Sequence, residues 1–213
     1  TADSIVIKKA ANGLAEDISL RPSVTKGELR SLGVYLMEKK CFTRLIREAF
    51  EHGGKDFRRD VIVPALSRHT IYAWEHTGFA ARICSIRGFY KANMAMLRPA
   101  IWEEMFRREG APVITKVKDM PPVRYKEGAK VKNSLIANGC EIYGQVENSI
   151  LFRGVRVAPG AVVRNSIVMQ KGSVGEFSQL DCVICDKNVA VTPEKSLRGA
   201  PTYPILVGKQ AVI

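Results

Sequence analysis

Between Val131 and Val191 the chain counts in sixes. Gly154, Gly160, Ser166, Gly172 and Ser178 stand six residues apart, and Val162, Val168, Val174 and Leu180 keep the same period. The triplet Asn-Ser-aliphatic occurs three times, at Asn133-Ser134-Leu135, Asn148-Ser149-Ile150 and Asn165-Ser166-Ile167. A hexad with one aliphatic and one small or turn-forming residue predicts a parallel β-helix. Each hexad makes a short flat strand and a corner. The aliphatic points inward, and Gly, Asn or Ser accepts the backbone angles of the corner. Three hexads close a triangular coil, so the run supplies roughly three to four coils. The alternative is an ordinary meander of short strands. The β-helix is preferred because two independent residue classes share one period.

Upstream, the pattern changes from turn to turn. Ser4–Lys8 and Asp17–Arg21 read as strands, and Leu29–Met37 alternates into an apolar run through Gly33. Lys39–His52 reads as an amphipathic helix with Leu45, Ile46, Ala49 and Phe50 on one side, closed by His52-Gly53-Gly54. Asp56 can cap a helix from Phe57 to Leu66, with Pro64 limiting its last turn. Thr70–Trp74 and Gly78–Ile83 read as strands. Ser85 then caps a helix from Ile86 to Leu97, whose inward stripe is Phe89, Tyr90, Met94 and Leu97. Pro99–Glu109 holds one more short helix. Strands mixed with helices at this spacing predict the last part of an α/β layer domain. The segment Ala111–Ala129, with Pro112, Pro121 and Pro122, reads as a linker. Beyond Val191 the hexads fade, and Ile205-Leu206-Val207 with Ala211-Val212-Ile213 predicts a closing hairpin around Gly208-Lys209. The expected division is therefore 1–110 (α/β), 111–129 (linker) and 130–213 (β-helix with its cap).

Charge adds one question. Thirty-three Lys and Arg oppose 21 Asp and Glu, a net +12. Such a balance suits an anionic partner, either nucleic acid or a phosphorylated metabolite. The basic pairs Lys8-Lys9, Lys39-Lys40, Arg58-Arg59 and Arg107-Arg108 are scattered, with no aromatic platform and no recognition helix, so nucleic acid is not expected. Apolar runs such as Val61–Leu66 are too short to span a bilayer, and no membrane partner is expected. Five Cys without a disulfide framework, and no signal peptide, point to a reducing cytoplasm. The chain opens on a strand and not on Met, which suggests a piece of a longer protein.

Candidate chemistry is sparse. His52, His69 and His76 all precede the repeat, whereas acyltransferases built on hexapeptide coils place a catalytic His on a coil. That activity is therefore disfavoured. His52 reads as a helix C-terminal residue facing the dipole. Cys182-Val183-Ile184-Cys185 is a lone pair of thiols with no second pair for zinc, and it reads as small residues of the coil. Gly53-Gly54-Lys55 lacks the spacing of a phosphate loop.

Several motifs together carry a family likeness. Ser31-Leu32-Gly33-Val34-Tyr35 resembles the Ser-Met-Gly-Ile-Tyr strand of glucose-1-phosphate adenylyltransferase (ADP-glucose pyrophosphorylase). Asp56-Phe57-Arg58-Arg59-Asp60-Val61-Ile62 with Pro64-Ala65-Leu66 is similar to that family's Asp-Phe-Gly-Lys-Asp-Ile-Ile-Pro-Ala-Leu helix. Phe89-Tyr90-Lys91-Ala92-Asn93 resembles its Tyr-Tyr-x-Ala-Asn helix. Pro121-Pro122, Asn133-Ser134-Leu135-Ile136, Gly139-Cys140, Val146-Glu147-Asn148-Ser149 and Asp186-Lys187-Asn188 fit as well.

The resemblance implies the end of a Rossmann-like (GT-A-like) nucleotidyltransferase α/β domain followed by a left-handed parallel β-helix. It also implies that about the first half of the full-length protein, with its nucleotide loop and catalytic aspartate, lies outside this chain. Ser31, Gly33 and Tyr35 become substrate-pocket candidates, and Lys187 a candidate contact for an anionic effector. The family's neighbouring Arg-Leu-Arg-Arg run, however, is Ser178-Gln179-Leu180-Asp181 here.

One departure bears on activity. Catalytic members read Gly-Tyr-Trp-x-Asp-Val-Gly-Thr, and that Asp ligates Mg²⁺. This chain reads Gly78-Phe79-Ala80-Ala81-Arg82-Ile83-Cys84-Ser85, placing Arg82 at the acidic position. A guanidinium has no lone pair for a cation and stays charged. The pattern resembles the bacterial D-type, non-catalytic partner subunit. It implies no bound metal, no catalytic residue in this chain, and assembly through the β-helix with a catalytic adenylyltransferase subunit or with itself. Sugar phosphate, nucleotide or an anionic effector remain possible ligands. The alternatives are a ligand-free structural β-helix or another sugar nucleotidyltransferase.

Overall fold

The corner chemistry of the hexads decides the architecture. In the computed structural model, which describes residues 4–107, 109–111, 113–114 and 118–213, the second half is a three-sided parallel β-helix. Its first coil carries β4 (Arg124–Tyr125), β5 (Lys130–Lys132) and β6 (Leu135–Ile136). The next carries β7 (Glu141–Ile142), β8 (Gln145–Glu147) and β9 (Ile150–Leu151). The third has β10 (Arg156–Val157), β11 (Val162–Arg164) and β12 (Ile167–Val168). The fourth has β13 (Ser173–Val174), β14 (Gln179–Asp181) and β15 (Val183–Cys185). The last has β16 (Ala190–Val191), β17 (Ser196–Arg198) and β18 (Ile205–Val207). Each face is a five-stranded parallel sheet: β4-β7-β10-β13-β16, β5-β8-β11-β14-β17 and β6-β9-β12-β15-β18.

The repeat is not three equal hexads. Successive coils are offset by 17 residues where Ser149, Ser166 and Val183 stack, and by 15 between Ser134 and Ser149. The residue lost from eighteen goes at the second corner. Asn133, Asn148 and Asn165 take left-handed angles there (φ 43°, 45° and 46°), and Cys182 follows at 54°. Asn tolerates that region, so two residues turn the chain where the other corners use more. The 15-residue offset arises at Tyr143-Gly144, where a Cβ on Gly144 would stand 2.2 Å from the Ala161 carbonyl oxygen. The shortened frame also moves the inward register: Val163, and not Val162, fills the prism beside Val168, Val174 and Leu180.

The serines that follow those asparagines point inward and are fully buried at Ser149 and Ser166. Ser149 Oγ donates to the Glu147 carbonyl at 2.7 Å and accepts from Ser166 N at 3.1 Å. Ser166 Oγ repeats the arrangement with the Arg164 carbonyl at 2.6 Å and Val183 N at 3.0 Å. Each buried hydroxyl is thereby satisfied in both roles, which removes the cost of placing it in an apolar prism.

The third face is apolar on both sides. Leu151, Val168 and Cys185 point in, while Ile150, Ile167 (0% exposed) and Ile184 (1% exposed) point out. Helix α3 (Ile86–Ala95) covers that outer column with Phe89, Tyr90 and Met94. Tyr90 donates its hydroxyl to the Asn165 carbonyl at 2.6 Å, and burial pushes its phenol well above the ordinary range. Ser85 caps α3 by accepting from Gly88 N at 3.0 Å, as the sequence predicts. A further helix runs over Pro99–Phe106. Arg108 of the basic pair and Pro112 of the linker lie outside the described residues, and β4 begins within the segment read as linker.

No closing hairpin forms at the C-terminus. β18 pairs in parallel with β15 to complete the fifth coil, and Val212 bridges Ala190 in parallel, so the chain winds on into a sixth level instead of folding back. The excursion from Gly199 to Pro204 hides this in the sequence by lengthening the last coil.

The chain divides into two compact units, Thr1–Ala80 and Ala81–Ile213. In the first, β1 (Ser4–Lys9), β2 (Ala15–Arg21) and β3 (Glu28–Arg30) form an antiparallel sheet of order β2-β1-β3. α1 (Lys39–Glu51) and α2 (a π-helix over Phe57–Ile62 closed by an α turn at Val63–Ala65) complete the unit. Ile5, Ile18 and Ile62 form one core cluster, and Leu45, Val61 and Ala65 another. Asp56 accepts from Arg58 N and Arg59 N, while Asp60 reaches back to accept from Lys55 N and Asp56 N at 2.7 and 2.8 Å, a reciprocal cap.

Three strand readings shrink. Of Leu29–Met37 only Leu29 and Arg30 join the ladder, as the end of β3, Thr70–Trp74 reduces to a bridge between Tyr72 and Leu14, and Gly78–Ile83 forms no strand. A strand needs a neighbour for its N–H and C=O groups, and Thr70–Trp74 meets one only at Gly13–Ala15, through Ala15 N to the Ile71 carbonyl and Ala73 N to the Gly13 carbonyl, both 2.9 Å. On α1 the apolar stripe is wider than the core it meets: Leu45 is buried, whereas Phe50 is 78% exposed. Among the described residues, no helix is long and apolar enough to cross a membrane.

Two outcomes follow. Ser166→Ala leaves Val183 N without its acceptor in the core, which costs about 1–3 kcal/mol and lowers the melting temperature by several degrees in a circular-dichroism melt. An unchanged melting curve would show the hydroxyl column to be ornamental. Thr25, through its N–H and hydroxyl, and then Arg21 hold the Glu28 carboxyl down at about 2, and Arg59 with the N–H groups of Asp56 and Lys55 depresses Asp60. Carboxyls lowered in the folded state stabilise it above their unfolded pKa. That stability drains away from about pH 4.5 downward, as pH falls toward the folded values. Denaturant titrations at stepped pH should show Asp60→Asn flattening this acid limb.

Candidate functional site

The sequence candidates fall into both units. In the first, the chain leaves β3 through Ser31, whose N–H donates to the Ile5 carbonyl at 2.9 Å. Ser31 Oγ accepts from Gly33 N at 3.1 Å, and Gly33 takes φ 79°, a left-handed angle that glycine meets without strain. The turn sends the Tyr35 ring edge-on to Phe57 with 5.5 Å between centroids. Its hydroxyl is buried with no hydrogen-bond partner among the described residues. A buried phenol is costly without an acceptor, so Tyr35 presents an unused donor. Leu32, Val34 and Leu36 are exposed on the same segment.

In the second unit Arg82 is exposed, lies in irregular chain just before the Ser85 cap, and makes no ion pair among the described residues. The residues after it line a groove of about 300 Å³. Ile83, Cys84, Ser85, Ile86 and Phe89 form one wall, and Met169, Ile184, Asp186 and Leu206 the other. Lys187 is exposed on the next residue of the corner, with its N–H donating to the Asp186 carboxylate at 2.7 Å. The fold therefore brings the Arg82 and Lys187 segments to one groove, while Ser31, Gly33 and Tyr35 belong to the other unit.

That groove does not fit a magnesium ion. Hard divalent cations take several oxygen ligands, most of them carboxylate, carbonyl or water. Here Asp186 is the single carboxylate in an otherwise mostly apolar lining, and the cations Lys187 and Arg82 adjoin the lining residues Asp186 and Ile83 in sequence. Among the described residues no group of three or more His, Cys, Asp or Glu is placed to hold a metal.

The thiols are equally unsuited to chemistry. Burial pushes Cys185 up to about 12 and raises Cys182 and Cys140, so these three buried thiols stay protonated at neutral pH and are not nucleophiles. His52 caps the end of α1, with Nδ1 2.7 Å from the Glu48 carbonyl oxygen, which agrees with a helix C-terminal role.

Sequence reasoning missed the groove and the outer column on the third face. The signal was present: Leu135-Ile136, Ile150-Leu151, Ile167-Val168 and Ile184-Cys185 put two apolar residues in succession at every level of this face, whereas the other faces do so only at Val162-Val163 and Ala190-Val191. A strand apolar on both sides needs cover.

Comparison with known proteins agrees with this architecture. Residues 121–199 match the family described as GlmU-like, C-terminal hexapeptide. The chain is 38% identical over 183 residues to the glycogen biosynthesis protein GlgD of Bacillus subtilis, covering 86% of this chain and 53% of that protein. It is 43% identical over 183 residues to the GlgD of Geobacillus stearothermophilus, with the same shares covered. With the glucose-1-phosphate adenylyltransferase of Thermosipho melanesiensis it shares 32% identity over 146 residues, 68% of this chain and 35% of that enzyme. The chain spans about half the length of the GlgD relatives it matches. The motif segment Ser31–Tyr35, the capped helix at Asp56, the α3 helix and the β-helix thus occur together in one recognisable order, and the chain belongs to the glucose-1-phosphate adenylyltransferase family.

Proposed function

We propose that this chain is part of a modulatory subunit of the ADP-glucose-forming enzyme of glycogen biosynthesis, working in the cytoplasm and acting through assembly more than through chemistry. The observation that carries the reading is Arg82 in the position of the family's metal-binding Asp, with no compensating carboxylate on its segment. Transfer of an adenylyl group from ATP to glucose 1-phosphate builds negative charge on departing pyrophosphate. A divalent cation steadies that charge when bound. A permanent guanidinium at the ligand position repels the cation and cannot replace its coordination.

Loss of one such electrostatic stabiliser is worth a rate factor of about 10²–10³. The subunit's contribution then lies in holding a catalytic partner, supplied with its own Mg²⁺, and in relaying a sugar phosphate or anionic effector. The GlgD relatives support this reading, since they are named for glycogen biosynthesis and not for the transferase activity. The Tyr35 hydroxyl, buried without an acceptor, supports a ligand or further chain at Ser31–Tyr35.

Steady-state synthesis of ADP-glucose by the whole protein tests the proposal. Alone, it should turn over at about a hundredth or less of a catalytic subunit's rate. Mixed with that subunit, it should shift the effector response. Turnover alone at a catalytic subunit's rate overturns the reading. A whole protein whose melting temperature ignores glucose 1-phosphate, ADP-glucose and the catalytic subunit favours a ligand-free scaffold instead.

A further inference from the structure

α3 is held to the coils by more than apolar contact. Tyr90, 4% exposed, donates its hydroxyl to the Asn165 carbonyl at 2.6 Å. Asn165 in turn donates through Nδ2 to Asp181 Oδ1 at 2.8 Å, and the Cys182 thiol donates to the same oxygen at 3.6 Å. Burial first, and then the Cys182 thiol and the Asp181 carboxylate, raise the Tyr90 phenol above its ordinary range, so the four groups form one cluster. It sits at the short corner, where Asn165 and Cys182 both take left-handed angles.

One end of the cluster reaches the outside of the second face. Asp181 is half-buried there, in register with Arg164 and Arg198 on the neighbouring strands. Arg164 pairs with Glu147 at 3.6 Å, while the Asp181 carboxylate serves the corner. The other end lies under the segment that leads into α3. A Cβ on Gly88, in the first turn, would stand 3.2 Å from Ser85 Oγ and 3.4 Å from the Arg82 carbonyl oxygen. The Arg82 backbone therefore lies against the helix, and Ser85 fixes the turn by accepting from Gly88 N. Gly88 and Tyr90 stand two residues apart on one ten-residue helix. Arg82 and Asp181, two places where this chain departs from the family's pattern, are thus the ends of one run of contacts through Asn165, Tyr90 and Gly88.

We propose that Tyr90 is a positioning residue that ties position 82 to the coils, so that a cationic group drawing the Asp181 carboxylate away from Asn165 shifts Arg82. A charged donor competes well for a carboxylate, because bonds between ionised partners are the strong ones. Released from Asp181, the Asn165 amide and its corner relax, and the Tyr90 hydroxyl follows the carbonyl it is bonded to. Coupling of this kind passes through packed side chains and hydrogen bonds that have two arrangements. A short helix carries a displacement at its docked turn to its own first turn, where Arg82 rests. α3 then behaves as part of the β-helix, in keeping with the division of the chain between Ala80 and Ala81. The coupling does not depend on the modulatory reading, because it concerns where position 82 is held and not what the guanidinium does there.

Two of the five Cys stand beside the ends of this path, so ¹⁵N-cysteine labelling of the chain reports on both by NMR. Cys84 lies two residues from Arg82, and Cys182 adjoins Asp181. Asp181→Ala withdraws the shared acceptor and should move the amide resonances of Cys182 and Cys84 alike. Tyr90→Phe keeps the ring and removes the donor. In that background Asp181→Ala should still move Cys182 but no longer Cys84. Met94→Ala loosens the same helix without touching the hydrogen bond, and there the Cys84 response should persist. Tyr90→Phe alone should raise hydrogen exchange of the α3 amides about five- to tenfold. A Cys84 resonance indifferent to Asp181→Ala overturns the proposal. So does a response that survives Tyr90→Phe, which would put the route across the groove from Ile184. A response that Met94→Ala abolishes as well overturns it too, since Tyr90 would then act by packing alone. None of these readouts involves ADP-glucose, so the proposal succeeds or fails apart from the modulatory reading.

Discussion

The β-helix depends on a column of buried hydroxyls. An asparagine in the left-handed region turns each of the first three coils in two residues, and the serine after it is driven into the prism, fully so at Ser149 and Ser166. Left alone, that serine would be a polar group in an apolar core. Stacked at a 17-residue offset, each hydroxyl takes the N–H of the coil beyond and gives its proton to a carbonyl of its own coil. The turn and the ladder therefore require each other. The column survives even the 15-residue offset between Ser134 and Ser149, because the two residues lost there come from the Tyr143-Gly144 corner and leave the asparagine corner unchanged.

From that period follows the role of the third face. Because the short corner brings the chain directly into β9, β12 and β15, these strands present consecutive aliphatics to both sides. The inner ones fill the prism, and the outer ones need a lid, which α3 provides. Tyr90 joins the two layers by donating to the carbonyl of Asn165, the same residue that makes the corner. One backbone position thus serves turn, ladder and helix docking together. The groove beside Arg82 is the part of that face that α3 leaves open.

Much of this was legible in the residues. The sixfold recurrence of small residues gave the β-helix, Ser85 and Asp56 marked their helices, and the family motifs placed the chain in its family. The misreadings have physical causes. Counting three equal hexads placed Val162 inside, because the two-residue corner is invisible to a pattern of small residues alone. The closing hairpin failed because Gly199–Pro204 interrupts the period without ending the coil. The strands read at Leu29–Met37 and Gly78–Ile83 have the composition of sheet but lack neighbouring backbone. Nor did composition show which sites meet. Arg82 and Lys187 were singled out by unrelated arguments, and only the packing of α3 on the coils brings their segments to one groove.

The buried thiols lead to one last point. Cys140, Cys182 and Cys185 are sealed and protonated, whereas Cys84 is exposed and Cys41 is partly so. The stack is held by contacts between adjacent levels, so it is free to fray from its end without dissolving as a whole. Cys182 and Cys185 sit one level in from the C-terminal end of the stack, and Cys140 one level in from the other. A slow alkylating reagent therefore finds a natural clock in this molecule: the order in which its sulfurs become reactive records how the winding comes undone.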